Sequence, residues 1–127
     1  MNQPYGIAYD SNSQRIFVAD TNNHRVVSYK LGSLVGTVVV GNNSYGLHRS
    51  SLYLPCGLHF DSPSNSLIIA NYGAHNIVRW TLGQSTWDLI AGNINGSLGN
   101  SSMELKNPRD VVLDSMGNVY VADTGNH

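Results

Sequence analysis

The stretch "VADTNNHRV" at residues 18–26 returns as "VADTGNH" at residues 121–127, so Asp-Thr-x-Asn-His occurs twice in one short chain. A carboxylate, an amide and an imidazole this close together are ingredients of metal sites and of acid–base relays. His24, His75 and His127 would then form a ring of ligands. The same residue types also fix tight turns, because Asp and Asn side chains bond nearby backbone N–H groups. The choice between the two depends on the elements that carry the phrase.

The chain has 127 residues, 41% of them hydrophobic and only 12% charged, which is the profile of a folded domain and not of a disordered segment. Seven basic against eight acidic residues leave a formal charge of −1. Arg15, Arg25, Lys30, Arg49, Arg79, Lys106 and Arg109 are scattered, so no stripe for a phosphate backbone is evident and nucleic acid is not the expected partner. The single Cys56 excludes an internal disulfide and a multi-cysteine zinc site. No apolar run approaches the roughly 18 residues of a membrane span, and the N-terminal "MNQPYGIAYD" has no signal-peptide pattern. Asn42, Asn95 and Asn100 each open a short N-x-S/T sequon.

The phrase belongs to a longer repeat. "PYGIAYD" from Pro4 matches "PCGLHFD" from Pro55 and "PRDVVLD" from Pro108. "RIFVAD" at 15–20 matches "SLIIAN" at 66–71 and "NVYVAD" at 118–123, and "HRVVSYKLG" at 24–32 matches "HNIVRWTLG" at 75–83. "TVVVGN" at 37–42 matches "DLIAGN" at 88–93. Four segments kept in order at a nearly constant offset establish a structural repeat.

Each unit is expected to form four short strands. Ile7 and Tyr9, Leu58 and Phe60, and Val111 and Leu113 alternate as the first strand. The second is an unbroken apolar run, Ile16–Ala19 or Leu67–Ala70, which suits a strand covered on both faces. The third and fourth are β-branched and aromatic. Asn, Gly, Ser and Pro cluster between them at 11–14, 62–66 and 115–118. No segment has helical periodicity. The fold class is therefore all-β: four-stranded antiparallel units stacked as β-propeller blades, in an incomplete propeller. The units span residues 4–54, 55–107 and, as a first half only, 108–127.

With Pro4, Gly6, Asp10, Asp20, Asn23, His24 and Arg25, the first unit resembles the NHL repeat. The second departs at Asn71, Ala74 and Asn76, and the third at Asp110. The resemblance implies a propeller that serves as a binding scaffold for protein partners. Two other roles occur among NHL-like propellers. The peptide-amidating lyase holds zinc with histidines of P-H-G/S segments, and lactonase-type propellers gather carboxylates around calcium at the axis. The positions here that match the lyase histidines are Tyr5, Cys56 and Arg109, and only Asp110 lies close to a lactonase-like position. Some NHL propellers of ubiquitin-ligase proteins bind RNA on a basic face.

In a blade of this kind the Asp-Asn-His phrase sits between the second and third strands. With strands about 4.8 Å apart, these turns lie on the order of 10 Å outside the innermost strand and diverge from blade to blade. Zinc requires its nitrogens about 2.1 Å from one point. Asp20, Asn23, His24, Arg25, Asn71, His75, Asp123, Asn126 and His127 are accordingly expected as structural turn residues, with Arg25 pairing to Asp20. No catalytic, cofactor or metal site is expected within the chain, and no enzymatic role. His59 is expected as a hydrogen-bonded core residue and Cys56 as a buried or half-buried thiol. "GNINGSLGNSS" at 92–102 lacks the Gly-Lys-Ser/Thr ending of a phosphate loop and is expected as an inter-blade connection. Tyr45, Tyr72 and Trp87 are the candidate interface aromatics, and Trp80 is expected to pack. Fewer than three blades leave apolar faces bare, so closure requires the rest of a propeller or self-association.

Overall fold

The computed structural model describes residues 1–42 and 44–127; Asn43, the middle residue of the first sequon, lies outside them. The described residues form ten strands. β1 (Pro4–Asp10), β2 (Arg15–Asp20), β3 (Arg25–Lys30) and β4 (Gly36–Val40) pair in that order as one antiparallel sheet. β5 (Pro55–Asp61), β6 (Ser66–Asn71), β7 (Asn76–Thr81) and β8 (Asp88–Gly92) repeat it, and β9 (Pro108–Leu113) pairs with β10 (Val119–Asp123). A single 3-10 turn joins the second strand to the third at Thr21–Asn23 and Tyr72–Ala74, and Thr124–Asn126 follows β10 in the same way. No described helix is long and apolar enough to cross a membrane.

The sheets stack as propeller blades with their first strands innermost, because β1 approaches β5 and β5 approaches β9. The alternation of the pleat decides which side chain enters which seam. From β6, Leu67 and Ile69 point back into a core with Phe17, Ala19, Val26 and Trp80 of the first two sheets. Ile68, Ala70 and Ile77 point the other way, onto Val111 of β9. Each fully buried aliphatic side chain of this size stabilises the seam by about 1.5–3 kcal/mol. Every residue of β6 is buried, as its unbroken apolar run requires. In the first sheet only one face is covered: Phe17 and Ala19 are buried, whereas Ile7 is 71% exposed and Tyr9 54% on the opposite side.

Two expectations fail here. Trp87 is not an interface residue: it is 1% exposed, and its indole N–H donates to the Ser51 carbonyl at 2.9 Å. The cause is the path of the connection between the first two sheets. Trp87 and Arg49 exchange a backbone bond of 2.8 Å and an Arg49 Nε bond of 2.8 Å to the Trp87 carbonyl, which closes the connection over the ring. His59 is not a core residue either. It is half-buried at the lower end of β5, beside a cleft lined by Phe60, Leu113 and Met116.

Candidate functional site

The end of each blade where the first strand begins and the second ends, here the upper end, carries the repeated phrase. Asp20 is fully buried at the end of β2. Its Oδ1 accepts the Asn2 N–H at 2.6 Å, its carboxylate accepts both contacts of the Asn23 amide at 3.0 and 3.1 Å, and its Oδ2 pairs with Arg25 Nε at 2.7 Å. Burial pushes the Asp20 carboxyl up most strongly, but the Asn2 N–H, the Asn23 amide and the Arg25 guanidinium together hold it below its ordinary pKa.

The other units repeat the contact with different chemistry. Asn71 Oδ1 accepts the Tyr53 N–H at 2.7 Å, and Asp123 Oδ1 accepts the Lys106 N–H at 2.7 Å. Asn126 donates to Asp123 at 2.6 Å and to the Gly99 carbonyl at 2.8 Å. Asn2, Tyr53 and Lys106 each stand two residues before the proline that opens an inner strand. This phrase position thus ties the chain entering each blade to that blade's second strand.

The histidines tie one blade to the next. His24 and His75 close their 3-10 turns in the left-handed region, at φ 53° and 54°. His24 Nδ1 accepts the Leu54 N–H, and His75 Nδ1 accepts the Asn107 N–H, both at 3.1 Å. Leu54 and Asn107 are themselves left-handed, at φ 50° and 51°, a conformation costly for a leucine that the imidazole bond helps to hold. His127 ends the described chain at φ 58°. Among the described residues no three His, Cys, Asp or Glu side chains gather as a metal site.

An Nδ1 that accepts an N–H must be unprotonated, so the neutral rings carry their proton on Nε2. Burial lowers the pKa of both histidines from the ordinary 6.5; at His75 Asp123 opposes that shift and Lys106 adds to it. The unfolded chain therefore binds more protons around pH 6. Stability from these bonds is fully present above pH 6.5 and is lost as the pH falls through the lowered folded values. Thermal melts between pH 7.5 and 5.5 should show a falling midpoint, and the His24→Gln/His75→Gln variant should flatten that dependence.

Closer to the axis lies a second group, whose shared repeat position is legible in the sequence but whose contact with Tyr72 is not. Tyr5, Cys56 and Arg109 occupy one repeat position on β1, β5 and β9. The Arg109 guanidinium carbon stands 5.9 Å from the Tyr5 ring centroid and 5.3 Å from that of Tyr72. Cys56 is buried, and burial raises its thiol pKa while the nearby Arg109 charge pulls it down. Further out, Tyr45 is 69% exposed and packs at 5.6 Å from His24 and 5.4 Å from Tyr53. The one signal in the sequence was that Arg109 is the sole charged occupant of its repeat position. Of the three aromatics expected at an interface, the structure places Tyr45 and Tyr72 at the upper end and Trp87 in the core.

Comparison with known proteins agrees with this geometry. The NHL repeat model matches residues 1–29 and 105–127 and leaves out the second unit, where Asn71, Ala74 and Asn76 depart from the pattern. The Arabidopsis thaliana protein SUPPRESSOR OF QUENCHING 1, chloroplastic, is 25% identical over 97% of this chain, which spans 13% of that protein. Among solved structures, an auxiliary nutrient binding protein from Bacteroides ovatus is similar at a TM-score of 0.77 and 15% identity, over 95% of this chain and 35% of that one. A gluconolactonase from Xanthomonas campestris is similar at a TM-score of 0.70 and 17% identity, over 94% of this chain and 34% of that one. The chain thus spans about a third of each solved relative. The expectation of no enzymatic role is corrected by the last of these. Blades of this fold also occur in a gluconolactonase, so the fold does not separate this chain from enzyme-type propellers.

Proposed function

Because this chain carries NHL-type repeats folded as β-propeller blades, we propose that it forms part of a binding scaffold whose partner, a protein or peptide, docks on the upper end of the blades. The observation that carries this reading is the gathering of Tyr5, Tyr45, Tyr72 and Arg109 at that end. Tyr and Arg supply large contact area and directed hydrogen bonds, and they dominate binding energy where they anchor an interface. The bare apolar face of Ile7 and Tyr9 is a different surface, which a neighbouring blade or a second copy would cover.

The two lysines make the reading testable. Lys106 enters the third unit at the upper end, whereas Lys30 closes β3 at the lower end. Amine cross-linking of the intact protein to its partner should give links from Lys106, and Tyr45→Ala or Tyr72→Ala should each weaken the complex about tenfold. Links confined to Lys30, with both variants binding normally, would place the interface elsewhere.

The shared fold with the gluconolactonase favours a second reading, an enzyme-type propeller. Asp110, exposed on inner strand β9, is the carboxylate this chain would contribute to an axial site. Lactone hydrolysis by the intact protein, abolished in Asp110→Asn, is the result that reading requires.

A further inference from the structure

We propose that Arg109 is an oxyanion-binding group, held between Tyr5 and Tyr72 so that it receives a carboxylate or phosphate of a ligand at the axial end of the blades. The proposal rests on the reading of the upper end as the binding surface and names the chemistry recognised there.

Three observations support it. First, the charge has no carboxylate partner among the described residues. Arg25, Arg49 and Arg79 pair with Asp20, Asp88 and Asp61, whereas no carboxylate among the described residues pairs with Arg109. The adjacent Asp110 turns its Oδ1 back onto the Val111 N–H at 2.9 Å.

Second, the guanidinium is positioned by two rings, one from each of the other two blades. It starts on β9, reaches over Cys56 of β5, and meets Tyr72 after β6 and Tyr5 of β1. The neighbouring Tyr5 phenol, with Tyr72 adding to it, holds its pKa above the ordinary value. A guanidinium has five N–H donors in a planar fork. Aromatic contacts restrain the side chain without neutralising it, and a planar fork suits bidentate oxyanions.

Third, the Cys56 thiol does not compete for the site. Burial keeps the Cys56 thiol protonated and neutral, so it offers no internal anion. Arg109, on the inner strand, is the one Lys or Arg of the third unit, and Lys106 stands in the connection before it.

The test follows the Arg109 Nε–H resonance of the isotopically labelled intact protein, with ionic strength held constant by sodium chloride. Arg109→Lys assigns the signal by removing it. Sodium acetate and inorganic phosphate are the probes, acetamide is the neutral isostere, and Arg15 is the exposed reference. A saturable Arg109 shift is expected with at least one oxyanion, at about tenfold lower concentration than any change at Arg15. Tyr72→Ala should raise the half-saturating concentration several-fold by loosening the clamp. Stronger response to acetate assigns a carboxylate source, and stronger response to phosphate a phosphate source. An unsaturating drift shared with Arg15, or an equal response to acetamide, overturns the proposal. That result can coexist with Lys106 cross-links, in which case the upper end binds its partner without an oxyanion. Saturation alongside Lys30 cross-links would instead leave the oxyanion site standing and remove the partner reading.

Discussion

Asp20→Ala should destabilise the intact protein by about 3 kcal/mol or more, the loss typical when one partner of a buried ion pair is removed. The carboxylate is fully buried and accepts from a backbone N–H, an amide and a guanidinium at once. Alanine leaves the Asn2 N–H and the Asn23 amide without that acceptor and takes the carboxylate from Arg25, whose side chain is 23% exposed and keeps some access to water. That access sets the expectation at the lower end of the range for buried pairs.

The second blade suggests how the cost can be recovered. Asp20 faces Arg25 across β2 and β3, and Asn71 faces Asn76 at the same register across β6 and β7. There an amide pair replaces the ion pair, Asn71 Nδ2 donating to Asn76 Oδ1 at 3.1 Å and Asn76 Nδ2 donating to the Asn93 carbonyl at 3.1 Å. Asp20→Asn alone should therefore be costly because it removes the carboxylate that Arg25 Nε meets at 2.7 Å. Adding Arg25→Asn should restore stability to within about 1 kcal/mol of the parent, a coupling that a double-mutant cycle of urea melts measures. A double variant as damaged as the sum of its singles would show that the two blades do not share this design.

Gly57→Ala should cost about 2–3 kcal/mol, the upper range for overpacking against atoms that cannot move aside. A Cβ there would fall on Asp110 Oδ1 and stand 2.5 Å from Asp110 Cα and 2.8 Å from the Arg109 carbonyl oxygen. Two of these are backbone atoms of β9, so relief requires β5 and β9 to separate. Separation would open the seam that Ile68, Ala70 and Val111 fill and would carry Arg109 away from Tyr72. Chemical denaturation should report the stability loss, and the Arg109 resonance should report the displaced clamp.

Much of the fold was legible because blade signals are local. Unbroken runs such as Leu67–Ala70 mark strands covered on both sides, and recurrence of the Pro-led segments marks the units. The Asp20–Arg25 pair was legible for the same reason, since its partners are only five residues apart. What was hidden depends on how blades meet. Trp87 is buried by a connection that passes Arg49 and Ser51, 36 or more residues earlier in the chain. The bond from Leu54 to His24 spans 30 residues and exists only once the second blade stands beside the first. The Arg109 clamp draws on residues 5, 72 and 109, which no local pattern joins. An enzymatic role is not legible either way, because the chain spans about a third of the gluconolactonase whose fold it shares.

The repeated histidine is a mechanical tie from one blade to the entry of the next. Native-state hydrogen exchange at the Leu54 and Asn107 amides, in the parent and in His75→Ala, tests it most directly. Both amides should be protected in the parent, and the substitution should accelerate Asn107 by about an order of magnitude or more while leaving Leu54 slow. Unchanged exchange at Asn107 in His75→Ala would contradict the account.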